Sequence, residues 1–366
     1  MNRIWWAQVK AVVRLELKKT FFAKRGLWIY VLAALPVVLY IAYAVVMTNQ
    51  QHQTSRLARR GEKTLSYQDL LAAKAGMTKQ DVTALLGKPP VTFHWTETRP
   101  KGPDTSEEIA HEDYQYSDGV NDLYLGLVNG QVERVHIREG FNQGQDSTMF
   151  AGIFQFFFLR LAVFFGCLGV FMNLFRGEVL DKSLHFYFLA PIRREVLMVG
   201  KFIAGLLATC VIFVTSLLLQ TAAFLWHFNP QAENTYLYQN HGLEHTAIYV
   251  GVTVLACIGY GSFFLVAGML FKNPILPAAG ILIWEFFNPI LPPLLKQFSV
   301  IYYLKSLCPV DILAPPGAPP LFALLVSSAD PISAPVAVCG LLIVSAIALT
   351  ISGVQVRRME INYSTE

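Results

Sequence analysis

The chain has 366 residues, 54% of them apolar and only 15% charged, with a formal net charge of +4. A soluble globular domain carries about 25% charged residues, so this balance excludes an ordinary soluble protein and calls for membrane-spanning segments. The five cysteines are odd in number and show no C-x-x-C spacing, which argues against a disulfide framework and against structural zinc.

Residues 1–26 hold seven Lys/Arg: Arg3, Lys10, Arg14, Lys18, Lys19, Lys24 and Arg25. Within 4–25, Ile4, Trp5, Val9, Val12, Val13, Leu17 and Phe21 share one helical face, and Lys10, Arg14, Lys18 and Arg25 occupy much of the rest. That pattern suits an amphipathic helix lying in the headgroup layer. Crossing the hydrocarbon takes about 20 apolar residues, and Gly26–Met47 is the first of six stretches that qualify. Ala42-Tyr43-Ala44 resembles a signal cleavage site. The apolar run continues through Val45-Val46-Met47, however, so a span is expected rather than a removed leader.

Residues 48–148 form an inserted small α+β domain with 11 Lys/Arg against 14 Asp/Glu, a net of −3. Ser66-Tyr67-Gln68-Asp69 and Thr78-Lys79-Gln80-Asp81 predict two capped helix starts. Gly87 and Pro89-Pro90 stop the second helix. Val91–Glu97 and His111–Ser117 are candidate strands, with Arg99–Ala110 a polar loop between them. Asp122–Leu127 and Gln131–Ile137 flank Asn129-Gly130, the strongest short hairpin signal.

The other five spans are Met149–Leu174, Val199–Trp226, Ala247–Phe271, Ile275–Leu295 and Pro331–Val354. A charged hinge separates the first two of these. It starts at Phe175-Arg176-Gly177-Glu178, is helical in propensity through Leu180–Leu189, breaks at Pro191 and crowds Arg193, Arg194 and Lys201 at the next span. Its basic residues, the basic N-terminus, Lys272 and the tail pair Arg357-Arg358 all fall on one side, while the 227–246 loop has no Lys or Arg. Lys/Arg-rich loops stay cytoplasmic. Both termini are therefore expected inside and the 48–148 domain outside. Residues 297–330 are too apolar for an ordinary outer loop. Val300–Leu307 and Leu321–Val326 around the Pro-rich run 314–320 read as two short re-entrant helices, tolerated only where protein or a water-filled cavity covers them.

Two ionisable residues lie inside spans. Arg160 is eleven residues from Met149 and Glu285 ten from Ile275, so both sit about 15–17 Å deep, near the midplane. A charge there costs at least about 2.5 kcal/mol and normally finds a partner. A bond between Arg160 and Glu285, within or between subunits, is one expectation. The others are that Arg160 meets an anionic substrate and that Glu285 bonds Asn288, Trp284 or water. No nucleotide-binding loop exists: Gly87-Lys88 and Gly200-Lys201 are preceded by Val82 and Glu195 where a Walker loop needs glycine. His241, Glu244 and His245 suit a solvated loop better than a metal site. No catalytic residue, cofactor, metal or nucleic-acid partner is expected on this chain.

These features together resemble the permease of a type-2 ABC exporter. The likeness runs through Leu15-Glu16-Leu17-Lys18-Lys19 and Arg25, then Glu178, Ser183-Leu184, Leu189-Ala190-Pro191-Ile192-Arg193-Arg194 and Gly200-Lys201. It covers residues 4–47 and 149–358. The resemblance implies an all-α polytopic membrane protein of six transmembrane helices with an N-terminal amphipathic elbow helix (1–25). The spans are 26–47, 149–174, 199–226, 247–271, 275–295 and 331–354, with a re-entrant segment at 297–330 and a cytoplasmic tail at 355–366. A coupling helix (175–198) would meet an ABC ATPase through Glu178, Asp181, Lys182, Leu184, Pro191, Arg193 and Arg194. ATP and Mg would be bound by that separate ATPase, and a second permease copy would complete the pathway. The expected role is outward movement of a lipid, drug-like or other amphipathic substrate in a bacterial inner membrane. The alternatives are a membrane scaffold whose outer domain recruits envelope proteins, and an ion-coupled carrier using Glu285. Gly76-Met77-Thr78, Val82, Leu86-Gly87-Lys88-Pro89 and Leu125–Val132 of the insertion are similar to the SmpA/OmlA-like small outer-membrane lipoprotein domain. That likeness implies a fold and a docking surface.

Overall fold

The computed structural model describes residues 2–22, 26–102, 105–140, 143–180, 193–228, 230–271, 275–312, 319 and 332–358. They divide into two compact units: one of Met1–Ile41, Asp146–Leu225 and Pro230–Glu366, and a smaller one of Ala42–Gln145 with Trp226–Asn229. Helix α1 spans Asn2–Phe22 and α2 spans Leu27–Arg60, the latter continuous through Pro36.

The small unit is built from local signals. Helix α3 (Tyr67–Ala72) starts at a reciprocal capping box between Ser66 and Asp69, and α4 (Lys79–Leu86) at another between Thr78 and Asp81. Each box satisfies two backbone donors that a helix start leaves orphaned. Gly87 ends α4 at φ +81°, its N–H bonded to the Thr83 carbonyl. Strands β1 (Val91–Gly102), β2 (Thr105–Ser117), β3 (Asp122–Val128) and β4 (Gln131–Arg138) form one antiparallel sheet in sequential order. Asn129 and Gly130 both have positive φ, 49° and 82°, the geometry of a two-residue type I′ hairpin. Segment 76–79 lies along β4: the Gly76 N–H donates 2.7 Å to the Val132 carbonyl, and the Val132 N–H donates 2.9 Å to the Met77 carbonyl. Period-two alternation turns Tyr114, Tyr116, Leu123, Leu125, Leu127 and Val132 to one face, where they bury Leu65, Leu70, Ala73, Val82 and Leu86.

Arg99–Ala110 is not a loop. Strands β1 and β2 pair through Thr98↔Glu108 and Arg99↔Glu107 out to Gly102↔Thr105. Ladder bonds come from the backbone, so the hairpin extends without an apolar face.

In the helical unit, α5 (Gln143–Gly152) leads into an eleven-residue π-helix, Ile153–Val163, and then α6 (Phe164–Leu180). Helices α7 (Arg194–Leu225) and α8 (Gly242–Leu270) follow, with α9 (Ile275–Phe286), α10 (Val300–Leu307) and α11 (Ala334–Arg358). Helix α8 is the hub, packing on α6, α7 and α11, while α1 lies along α7. At the α6/α8 crossing a Cβ on Gly268 would stand 2.9 Å from the Met172 Cα. Only glycine lets the backbones approach so closely, as membrane helix pairs favour.

Five of the described helical segments are long and apolar enough to cross a membrane: Leu27–Arg60, Asp146–Phe175, Arg194–Leu225, Gly242–Leu270 and Ala334–Arg358. The stretch 275–295 differs from a single span. Its helix α9 ends after 12 residues, followed by a 3-10 turn Asn288–Ile290 and a short helix Pro293–Lys296. Asn288-Pro289 and Pro292-Pro293 remove backbone donors and disfavour helix before each proline. At 1.5 Å per residue α9 rises about 18 Å. The predicted helix at 300–307 is present, whereas 321–326 lies outside the described residues.

Candidate functional site

The described ends of the hinge meet at Lys201. Its side chain is fully buried, and its Nζ donates 2.8 Å to Glu16 Oε1 of α1 and 2.9 Å to the Leu174 carbonyl of α6. The ammonium also stands 5.4 Å from the Phe175 ring centre. One lysine on α7 therefore ties together the helices on either side of the hinge and the N-terminal helix. Glu16 lies on the inward stripe of α1 with Val9 and Val12, all three buried. Lys19 Nζ approaches the same carboxylate at 3.9 Å from a half-exposed position. Just before Lys201, Glu195 Oε1 pairs with Arg357 Nε of α11 at 2.5 Å, and Arg194 Nη1 donates 3.0 Å to the Arg357 carbonyl. The α7 start is thereby fastened to the last helix as well.

Of the coupling residues expected from sequence, Arg193 and Arg194 are exposed at the start of α7. Glu178 falls within the last turn of α6. Asp181, Lys182, Leu184 and Pro191 lie outside the described residues. Sequence reasoning counted Lys201 as one more cytoplasmic cation and Glu16 as part of a motif. The missed signal was an acid at the 9, 12, 16 spacing of an otherwise apolar stripe.

Arg160 and Glu285 have separate surroundings. Glu285 Oε2 accepts from Ser299 Oγ at 2.9 Å and the Ile301 N–H at 2.8 Å, and its Oε1 accepts from the Val300 N–H at 2.9 Å. The carboxylate thus caps the N-terminus of α10, where the helix dipole and orphaned donors favour an anion. The sequence offers Arg160, or else Asn288, Trp284 or water, as its partner; the bonds to Ser299, Val300 and Ile301 are to none of these. Arg160 lies buried in the π-helix, its guanidinium 5.3 Å from the Phe156 ring and 5.8 Å from the Phe286 ring. Among the described residues its Nη1 has no hydrogen-bond partner. Among the described residues of the single chain, no ion pair joins Arg160 to Glu285.

Long apolar helices around a buried, ion-paired core, with a basic connection between two of them, define a multi-pass membrane protein. The model of the family described as "ABC-2 family transporter protein" (ABC2_membrane_2) matches residues 11–301, and the chain belongs to that family. Family members are membrane transport subunits that normally work with an ABC ATPase. No curated protein and no solved structure matches the chain.

Proposed function

We propose that this chain is the permease subunit of an ATP-driven ABC exporter, coupled to a separate ATPase through residues 175–201. Family membership supports the class. The observation that carries the coupling is the Lys201 junction, where α1, α6 and α7 share one buried ion pair. A push on the segment between α6 and α7 is delivered to both spans and to the N-terminal helix together. ATP binding on the partner must favour one arrangement of the spans over another, and a rigid junction transmits that bias where a mobile loop dissipates it. ATP and Mg belong to the partner.

In this proposal α1 is the interfacial elbow, both termini are cytoplasmic, and the small unit faces the outside of a bacterial inner membrane. The Lys/Arg distribution supports that orientation. Helix α9 with the segment after it completes a sixth crossing, the break at Asn288–Pro293 lying near the outer surface. The short helix α10, capped by Glu285, is the re-entrant element. A second permease copy lines the pathway, and the cargo is amphipathic. The Thr78 cap and the Asn129-Gly130 hairpin of the small unit fall on the residues that resemble the SmpA/OmlA-like domain, and on that reading the unit is a docking surface.

Co-purification of the tagged full chain with a Walker-loop ATPase tests the proposal, together with Arg193→Glu/Arg194→Glu. The expected result is an ATPase partner whose association falls at least tenfold in the charge-reversed variant. A chain that captures no ATPase from its native membrane refutes it.

A further inference from the structure

The outward face of the small unit's sheet carries a cavity of about 380 Å³, lined by Phe93, Asp113, Gln115, Tyr124, Arg134 and His136 around Gly126. The register explains it. Strand pairing puts Phe93, Asp113, Gly126 and Arg134 in one row across all four strands, and Val91, Gln115, Tyr124 and His136 in the next. Gly126 is the only residue of its row without a side chain, so the row has a gap at its centre. A Cβ built there would sit 3.3 Å from both Asp113 Oδ1 and Arg134 Nε. A carboxylate and a guanidinium therefore border the gap from opposite sides. Among the described residues neither has an ion-pair partner, and both are exposed. A register shift follows Gly126. A glycine inside a strand marks such a bulge or a close approach, and here the Asp113 and Arg134 side chains lean in over it and leave the backbone as the floor between them.

The rim is aromatic. Phe93 is 62% exposed and Trp95, two residues along the same face, 46% exposed, although such rings are normally buried. Trp95 is held flat by His111, the rings 3.9 Å apart and 6° from parallel. Tyr124 is fixed by a 3.1 Å bond from Gln115 Nε2. Pre-positioned rings beside planar polar groups lower the ordering cost of binding.

We propose that this face binds a glycan of N-acetylated amino sugars, a polymer strand rather than a free monosaccharide. The fork offers one acceptor, Asp113, and one donor, Arg134, across a floor without a side chain. An acetamido group presents the complement, its N–H to Asp113 and its carbonyl to Arg134, with its methyl over Gly126. Asp113 and Arg134 cancel in charge, which suits a neutral ligand and disfavours a phosphate or a polyanion. Sugar rings have an apolar C–H face for Phe93 and Trp95, and the platform extends beyond the cavity, so more than one ring is engaged. The glycan reaches this site only if the small unit lies outside the membrane, as proposed above.

Isothermal titration of the full chain in detergent with tetra-N-acetylchitotetraose tests this. Cellotetraose, N-acetylglucosamine and tetra-alanine are the comparison probes. Chitotetraose is expected to bind, with cellotetraose at least tenfold weaker because it lacks the amide. N-acetylglucosamine is expected to be weaker still. Arg134→Ala and Phe93→Ala, both at exposed positions, each weaken binding at least tenfold, and Gly126→Val removes it by filling the gap. Retention of the ATPase partner by the variants separates this site from the exporter proposal. No heat at millimolar chitotetraose, equal binding of cellotetraose, or binding unchanged in Arg134→Ala overturns the assignment. Tighter binding of tetra-alanine also overturns it, in favour of a peptide ligand.

Discussion

Replacing Lys201 by methionine is the sharpest perturbation of the α1–α6–α7 junction. The thioether fills much the same volume, so the loss isolates the charge. It leaves the Glu16 carboxylate, 3% exposed, without its 2.8 Å ammonium. Removing one partner of a buried pair costs about 3–5 kcal/mol, because the other charge stays buried. Lys19, 3.9 Å away and half exposed, restores at most about 1 kcal/mol. The expected net loss is about 2–4 kcal/mol. Glu16→Leu/Lys201→Met removes both charges, and apolar replacement of a whole pair is near neutral. The double variant is therefore expected to recover most of the stability lost by Lys201→Met. Denaturant unfolding of the purified chain in detergent supplies the cycle, and ATPase stimulation by the complex supplies the functional readout. Additive losses, or a Lys201→Met variant within about 0.5 kcal/mol of wild type, would refute the buried-pair account.

Four further outcomes follow from other sites. Glu285→Ala strands the Val300 and Ile301 N–H groups and should lower stability by about 1–3 kcal/mol, with Glu285→Gln milder; equal stability of all three chains would remove the capping role. The swap Arg160→Glu/Glu285→Arg should be no more stable than its worse single variant. Recovery in thermal unfolding would instead reveal a direct pair between the two sites, for example across a dimer. In α8, Gly268→Ala should destabilise by about 1–3 kcal/mol through overpacking against Met172. Gly251→Ala in the same helix meets nothing within 4 Å and should be neutral or stabilising by up to about 1 kcal/mol, so thermal shifts of equal sign would contradict the packing. In the small unit, Lys79 and then the Tyr114 hydroxyl hold the Glu112 carboxyl below its ordinary value. The folded state favours the ionised form, so this stabilisation is present above the ordinary carboxylate range and is lost as pH falls through the lowered value. Acid unfolding of the small unit, followed by the near-UV signal of Trp95, should be shallower in Glu112→Gln than in wild type.

Sequence displayed the elements whose causes are local. Ser66/Asp69 and Thr78/Asp81 cap helices within four residues of chain, and Asn129-Gly130 sets its own turn. Where the cause was a distant partner or the backbone alone, the pattern was silent. The polar stretch 99–110 has no apolar face to betray a strand, yet pairing needs none. Glu16 and Lys201 are separated by 185 positions, and only tertiary packing brings them together. Counting depth along two spans permitted a pair between Glu285 and Arg160. Three donors at the start of a helix satisfy the carboxylate instead, and the broken backbone after Phe286 that delivers that helix leaves only diffuse traces in sequence.

The wide turns of Ile153–Val163 hold slack in the chain. A π turn closes i→i+5 bonds where an α turn closes i→i+4. Tightening one of them hands a residue onward, advancing the rest of the helix by about 1.5 Å and swinging it about 100°. Everything from Phe164 to Leu180 would rotate as a crank, and a turn tightened before Phe156 would draw Arg160 off the Phe286 ring. A spin label at Gly177 would read such a rotation, and a single unchanging angle would show that the wide turns stay as they are.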